Sequence, residues 1–226
     1  MNNLVDFFFP NLERLAPELW ECLGQTFTMI AVSGTIAWFL GIVVGVLLVV
    51  TRSGAICENR FIFTILDRSI DIIRSIPFII LIVLLIPLSR FLVGTGSGVT
   101  GSFVALVFGT VPFFARQVES VLLEGEYGLV EASLAMGFSP LQVIFGVYLK
   151  ESISGITRVT MITFVSFVGI TAIAGAIGAG GIGDFAIRYG YQMGYRDMIW
   201  LTVLIILTII SVFQFFGQLV IRHTQH

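Results

Sequence analysis

Six stretches of this chain contain no charged side chain: residues 22–51, 75–89, 91–115, 132–149, 159–183 and 198–221. Four of them exceed the roughly 20 residues that a helix needs to cross about 30 Å of hydrocarbon. With 57% hydrophobic and 12% charged residues and a mean hydropathy of +1.01, the chain reads as an integral membrane protein. The runs are continuously apolar rather than alternating, which fits spanning helices and not a membrane barrel. The expected fold class is all-α.

The two shorter runs are read differently from each other. Residues 75–89, SIPFIILIVLLIPLS, follow Asp67, Arg68, Asp71 and Arg74 at helical spacing, the pattern of an interfacial lead-in to a span. Residues 132–149 are broken by Gly137, Ser139, Pro140, Gln142 and Gly146. Reading them as a sixth span is the alternative, and basic residues weigh against it, because cytoplasmic loops collect Lys and Arg. Five spans put Arg52, Arg60, Arg68, Arg74, Arg116, Lys150, Arg158 and Arg222 on one side. Only Arg14, Arg90, Arg188 and Arg196 fall on the other, a ratio of 8 to 4; six spans give 7 to 5. The expected topology is therefore five spans, at about 22–50, 70–89, 97–116, 158–180 and 198–221. The amino terminus lies outside, the carboxyl terminus inside, and 117–157 form one cytoplasmic loop.

The first 21 residues carry Asp6, Glu13, Glu18 and Glu21 against Arg14 alone, so they lack the basic region of a signal peptide and the first span is expected to be retained. With a net charge of −2 and no basic cluster, nucleic acid is not an expected partner. The topology places Cys22 and Cys57 on opposite faces of the bilayer, so no disulfide is expected. His223 and His226 sit in the tail with no neighbouring ligand, so no metal site is expected.

Gly178, Gly180 and Gly183 spell G-x-G-x-x-G, with Asp197 nineteen residues beyond the first of them, as in a dinucleotide-binding loop. Context contradicts the spelling. The motif ends an uncharged run of 25 residues from Val159 instead of following a short strand. Its glycines are read as close backbone packing or an irregular turn at the outer end of the fourth span, and Asp197 as the charged edge of the fifth. Gly41 and Gly45, G-x-x-x-G in the first span, likewise suggest close helix packing.

For energy coupling the chain offers little of its own. The central parts of the five spans carry no ionisable residue, which disfavours proton coupling and suits a neutral or zwitterionic solute. The single lysine, Lys150, fits no G-x-x-x-x-G-K-[ST] phosphate loop, so ATP, if it drives the process, is bound by another subunit. No carboxylate pair, nucleophile with base or metal set recurs at a common depth, which argues against an enzyme.

The stretch LVEASLAMGFSPLQVIFGVYLKE contains Glu131, Ala132 and Ser133, with Gly137 six residues after Glu131. It resembles the E-A-A, three residues, G signature of binding-protein-dependent ABC importer permeases. Ser133 stands for the second Ala, and the I-x-L-P end appears as Val147-Tyr148-Leu149-Lys150 without the proline. RSIPFIILIVLLIPLSRFLVGT at 74–95, EASLAMGFSP at 131–140 and GAIGAGGIGDFAIRYGYQMGY at 175–195 together resemble the permease subunits of methionine ABC importers over roughly residues 20–222.

The resemblance implies a type I importer permease in a bacterial cell membrane. It implies a homodimer, two ATP-binding subunits that hold the ATP and Mg, and an extracytoplasmic methionine-binding lipoprotein. It assigns Glu131, Ala132, Ser133, Ala135, Met136, Gly137 and Pro140 to coupling with the ATPase. Ile162, Ser166, Gly169 and Ile173 fall on one face of the fourth span and are the candidate substrate pathway, with Ile173 the family-guided constriction; helix packing is the competing reading. Arg74, Pro77 and Pro112 are candidates for gating or a kink, against plain roles as interface anchor, helix start and helix bend. The expected function is inward methionine transport. The alternatives are a permease for another small amino acid or zwitterion, a stand-alone carrier, and a membrane scaffold.

Overall fold

A computed structural model describes residues 7–125 and 127–224, and His226 lies outside the described residues. Among these every regular element is helical. In chain order they are α1 (Leu12–Thr51), α2 (Arg60–Ser75), α3 (Phe78–Leu84), α4 (Ile86–Val93) and α5 (Gly98–Leu123). There follow α6 (Tyr127–Ala135), α7 (Pro140–Leu149), α8 (Ile153–Ala174), α9 (Gly181–Phe185), which continues as a π-helical stretch over Ala186–Gln192, and α10 (Arg196–Thr224). Among the described residues four helices are long and apolar enough to cross a membrane: α1, α5, α8 with its extension to Ala179, and α10. At 40 residues, α1 has twice the roughly 20 residues that a spanning helix needs.

Residues 70–89, expected as the second span, are not one helix. Pro77 has no N–H to continue a ladder and pushes the residue before it out of the helical region, so α2 stops at Ser75 with Ile76 extended (φ −87°, ψ 121°). Pro77 instead caps the start of α3. A second interruption at Leu85 separates α3 from α4, which ends on Gly94 in the left-handed region (φ +78°). Pro112 behaves otherwise: α5 runs through it without a break. The 132–149 stretch forms no long helix; its apolar part is the short α7.

The chain divides into two compact units. One comprises residues 1–36, 77–107 and 164–213. Its core has two clusters. Leu15, Leu19, Cys22 and Leu23 of α1 pack with Ile182, Phe185 and Met198. Met29, Leu106, Phe167, Ala174 and Ala179 form the other. The second unit comprises residues 37–76, 108–163 and 214–226. Here Val46, Val49 and Val50 of α1 meet Phe114, Val118 and Leu122 of α5 and Ile156 and Val159 of α8. Gly41 and Gly45 make this approach possible. A Cβ on Gly41 would lie 2.5 Å from the Phe114 ring, and one on Gly45 2.9 Å from the Ala115 carbonyl oxygen.

Candidate functional site

The segment from α6 to α7 is built from two helix-ending rules in succession. Gly137 lies in the left-handed region (φ +85°). From there its N–H donates to the Leu134 carbonyl at 2.9 Å and the Phe138 N–H to the Ser133 carbonyl at 3.1 Å. This Schellman arrangement satisfies the last carbonyls of α6. A Cβ at Gly137 would meet nothing, so the position is constrained by conformation and not by space. Two residues on, the Ser139 N–H donates to Gln142 Oε1 at 2.8 Å and Pro140 occupies the first turn of α7, a stop followed at once by a start.

This turn divides its side chains cleanly. Ser133 and Val143 are buried, and the Ser133 hydroxyl donates to the Leu129 carbonyl at 2.7 Å. Glu131, Ala132, Ala135, Met136, Gly137 and Pro140 are exposed. Beside them Leu134, Phe138, Leu141 and Phe145 also face outward, with Met136, Leu141 and Phe145 each about two-thirds exposed (67%, 66% and 67%). An apolar patch on a turn held this rigidly is the composition of a protein-docking surface.

On α8, Ser166, Gly169 and Ile173 in the first unit and Ile162 in the second are all exposed. A Cβ on Gly169 would touch nothing, so packing within this chain does not require that glycine. Thr157 and Thr160 of the same helix return their hydroxyls to carbonyls one turn back, at 2.8 Å each.

The glycine-rich stretch after α8 is an irregular turn. Ile177 and Gly178 leave the helical region, and Gly178, Gly180 and Gly181 have φ of +98°, +86° and +81°. Its helix, α9, opens onto protein groups, not onto a free anion site. Gln25 Oε1 accepts from the Gly181 N–H at 2.6 Å and Thr26 Oγ1 from the Ile182 N–H at 2.8 Å. A Cβ on Gly183 would collide with the Ala172 carbonyl. Close packing and an irregular turn, the two readings of these glycines, both occur. Asp197 does more than edge α10: it accepts the Asn11 N–H at 3.1 Å and the Asn11 amide at 3.1 and 3.2 Å. No sequence signal joins residues 186 positions apart.

Arg74 is exposed in the last turn of α2, where a cation suits the helix carbonyls. Arg116 was not among the expected site residues, yet it gathers three carboxylates: Asp67 at 2.6 Å, Asp71 at 3.0 Å and Glu119 at 2.7 Å. The i,i+4 spacing of the two aspartates and the i,i+3 spacing of Arg116 and Glu119 were the available hints.

Comparison with known proteins places this geometry. A family model described as "Binding-protein-dependent transport system inner membrane component" matches residues 41–226. The chain belongs to that family. Like this inner membrane component, the methionine import system permease protein MetP of Bacillus subtilis matches nearly end to end, with 38% identity over 217 residues, 96% of this chain and 97% of the relative. The D-methionine transport system permease protein MetI of Escherichia coli K12 is 44% identical over 147 residues, 65% of this chain and 66% of the relative. Among solved structures, one of inward facing conformations of the MetNI methionine ABC transporter superposes with a TM-score of 0.88. It is 38% identical and covers 96% of this chain and 99% of its own. The inner membrane component therefore has the type I ABC permease fold and is a multi-pass membrane protein.

Proposed function

We propose that this chain is the membrane-spanning permease subunit of an ATP-driven importer that moves methionine inward. One observation carries the reading: methionine-transport permeases match over almost the whole chain, and the transporter structure among them reaches a TM-score of 0.88. The Schellman turn at Gly137 supports the mechanism, because it holds Glu131, Ala132, Ser133, Ala135, Met136, Gly137 and Pro140 in one rigid piece fit to seat on an ATPase subunit. ATP and Mg bind that partner. Two copies of the chain face each other across the pathway, two ATPase subunits lie beneath, and an extracytoplasmic methionine-binding lipoprotein delivers the solute.

The chain crosses the bilayer five times, by α1, by a broken second span over residues 70–89, by α5, by α8 and by α10. Its amino terminus is outside and its carboxyl terminus inside, a reading supported by the 8 to 4 distribution of Arg and Lys. The exposed face of Ile162, Ser166, Gly169 and Ile173 lines the pathway, mixing apolar contacts for a thioether with one hydroxyl. Arg74 and Pro77 sit at the break in the second span, where a bend can open or close the inner end, and Pro112 loosens α5 by the hydrogen bond it cannot make.

The test is methionine uptake by starved cells that express the chain with and without a cognate ATPase and binding lipoprotein. Uptake only with both, and only while ATP is available, is expected. Uptake by the chain alone that collapses with an uncoupler would make it a secondary carrier; uptake of another amino acid in preference would change the cargo.

A further inference from the structure

Residues 52–75 carry three acids and four arginines, and the structure treats the two signs unequally. Glu58 is taken up locally: it accepts the Gly54 N–H at 3.0 Å and pairs with Arg60 at 3.2 Å. Asp67 and Asp71 are both drawn onto Arg116. Every carboxylate of the segment is thereby matched from within the protein. Arg52, Arg68 and Arg74 are exposed and form no ion pair among the described residues. A stretch that is nearly neutral in sequence thus presents three uncompensated cations.

The same segment exposes large apolar side chains. Ile70 packs inward with Leu48 and Ala115, while Phe61, Ile65 and Ile72 are 75%, 49% and 64% exposed. These three and Arg68 share one face of α2, at offsets of 4, 7 and 11 from Phe61. Apolar groups interleaved with Arg68, with Asp67 and Asp71 drawn off that face onto Arg116 and Arg74 exposed in the helix's last turn, are what a helix needs to lie at the boundary between acyl chains and headgroups. An aqueous face would not strand Phe61 and Ile72 together, and a protein-facing one would leave three arginines without partners.

We propose that residues 52–75 form a binding surface for anionic phospholipid headgroups, with Phe61, Ile65 and Ile72 in the acyl boundary and Arg52, Arg68 and Arg74 on the phosphates. The occupant is lipid of the inner leaflet, so the inference rests on the topology proposed above. Arg116 belongs to the device: by holding Asp67 and Asp71 it keeps the lipid face positive.

The test uses the purified complex with its ATPase subunits and reads the lipids it retains in native mass spectrometry after exposure to equal mixtures of phosphatidylglycerol and phosphatidylcholine. The unchanged protein should retain phosphatidylglycerol preferentially. Arg52→Gln, Arg68→Gln and Arg74→Gln should each weaken that preference by about fivefold, and the three together should abolish it. Lysine at the same positions should restore it, which separates charge from folding. Arg14→Gln with Arg196→Gln, both in the other compact unit, should leave it intact. A triple glutamine variant that still prefers phosphatidylglycerol overturns the proposal, as does one whose assembly falls apart into single permease chains, since a second copy would then cover this face. A cysteine replacing Arg68, on a background lacking Cys22 and Cys57, should react with a membrane-impermeant maleimide only in inside-out vesicles. Labelling from outside would overturn the topology and the lipid assignment together. Loss of methionine uptake with lipid preference intact would count against the transport reading alone.

Discussion

Arg116 Nη2 lies 2.6 Å from Asp67 Oδ1, joining two helices whose residues are 49 positions apart. Nη1 of the same guanidinium lies 2.7 Å from the largely buried Glu119. One arginine therefore fixes α2 against α5 and neutralises Glu119, the one carboxylate buried among that unit's described residues, at 6% exposure.

Replacing Arg116 by Ala should destabilise the protein by about 2–3 kcal/mol. That is below the loss for a fully buried pair because Arg116 and Asp67 retain some water contact (24% and 28%). Arg116→Lys, one donor head in place of a planar fork, should recover only part of it. Thermal unfolding in detergent measures both, and an Ala variant as stable as the unchanged protein would remove Arg116 from the list of structural supports.

Gly137→Ala should cost about 1–2 kcal/mol of turn stability, from left-handed backbone alone, since the added methyl meets nothing. Gly137→Asn should cost less. Limited proteolysis at 136–140 reports the loosening. Glu131→Arg and Gly137→Trp should lower methionine transport and ATPase docking while leaving methionine capture by the separate lipoprotein unchanged; normal transport by both would show that the partner seats elsewhere.

The glycines of the turn after α8 should separate into two kinds. Gly183→Ala drives a methyl into the Ala172 carbonyl and should cost more than about 3 kcal/mol, enough to lose folded protein. Gly178→Ala, with open space around it, pays only for its φ of +98° and should fold. Recovery of monodisperse protein after extraction distinguishes them.

Gln25→Ala and Thr26→Val each remove one acceptor from the first amides of α9, and each should cost about 1 kcal/mol. Hydrogen exchange at Gly181 should quicken in the first variant and at Ile182 in the second. Thr26→Ser should leave both slow.

The loop after α1 should hold its order under mild acid. The Gly54 N–H, followed by Arg60, keeps the Glu58 carboxyl below the usual glutamate range. A depressed carboxylate contributes above its unfolded pKa and loses that contribution as pH falls through the folded one. Protection of the Gly54 amide should therefore survive to below the ordinary glutamate range and vanish further down. Glu58→Gln should remove that pH dependence.

The parts of this fold that composition and local stereochemistry dictate were legible in advance. Four of the uncharged runs supply the apolar stretches of the four long helices, Gly41 and Gly45 pack as their spacing suggests, and the Gly-Phe-Ser-Pro sequence at 137–140 encodes its own stop and start. Long-range polar pairing was hidden. Nothing in the neighbourhood of Asn11 announces Asp197, and Gln25 and Thr26 look like ordinary polar residues until the α9 amides arrive beside them. The break within residues 70–89, expected as one span, lay between: Pro77 and Pro87 were visible, but a hydropathy profile sums residues and does not count hydrogen bonds.

That interruption bears on how the protein is made. α3 and α4 offer seven and eight residues, each too short to cross a bilayer alone. A nascent chain that has emerged only as far as Val93 should stay at the channel's lateral gate, and commit to the membrane when α5 follows within five residues as the second limb of a hairpin. A glycosylation reporter fused after residue 94 should therefore give mixed orientations, and one fused after 123 a single orientation.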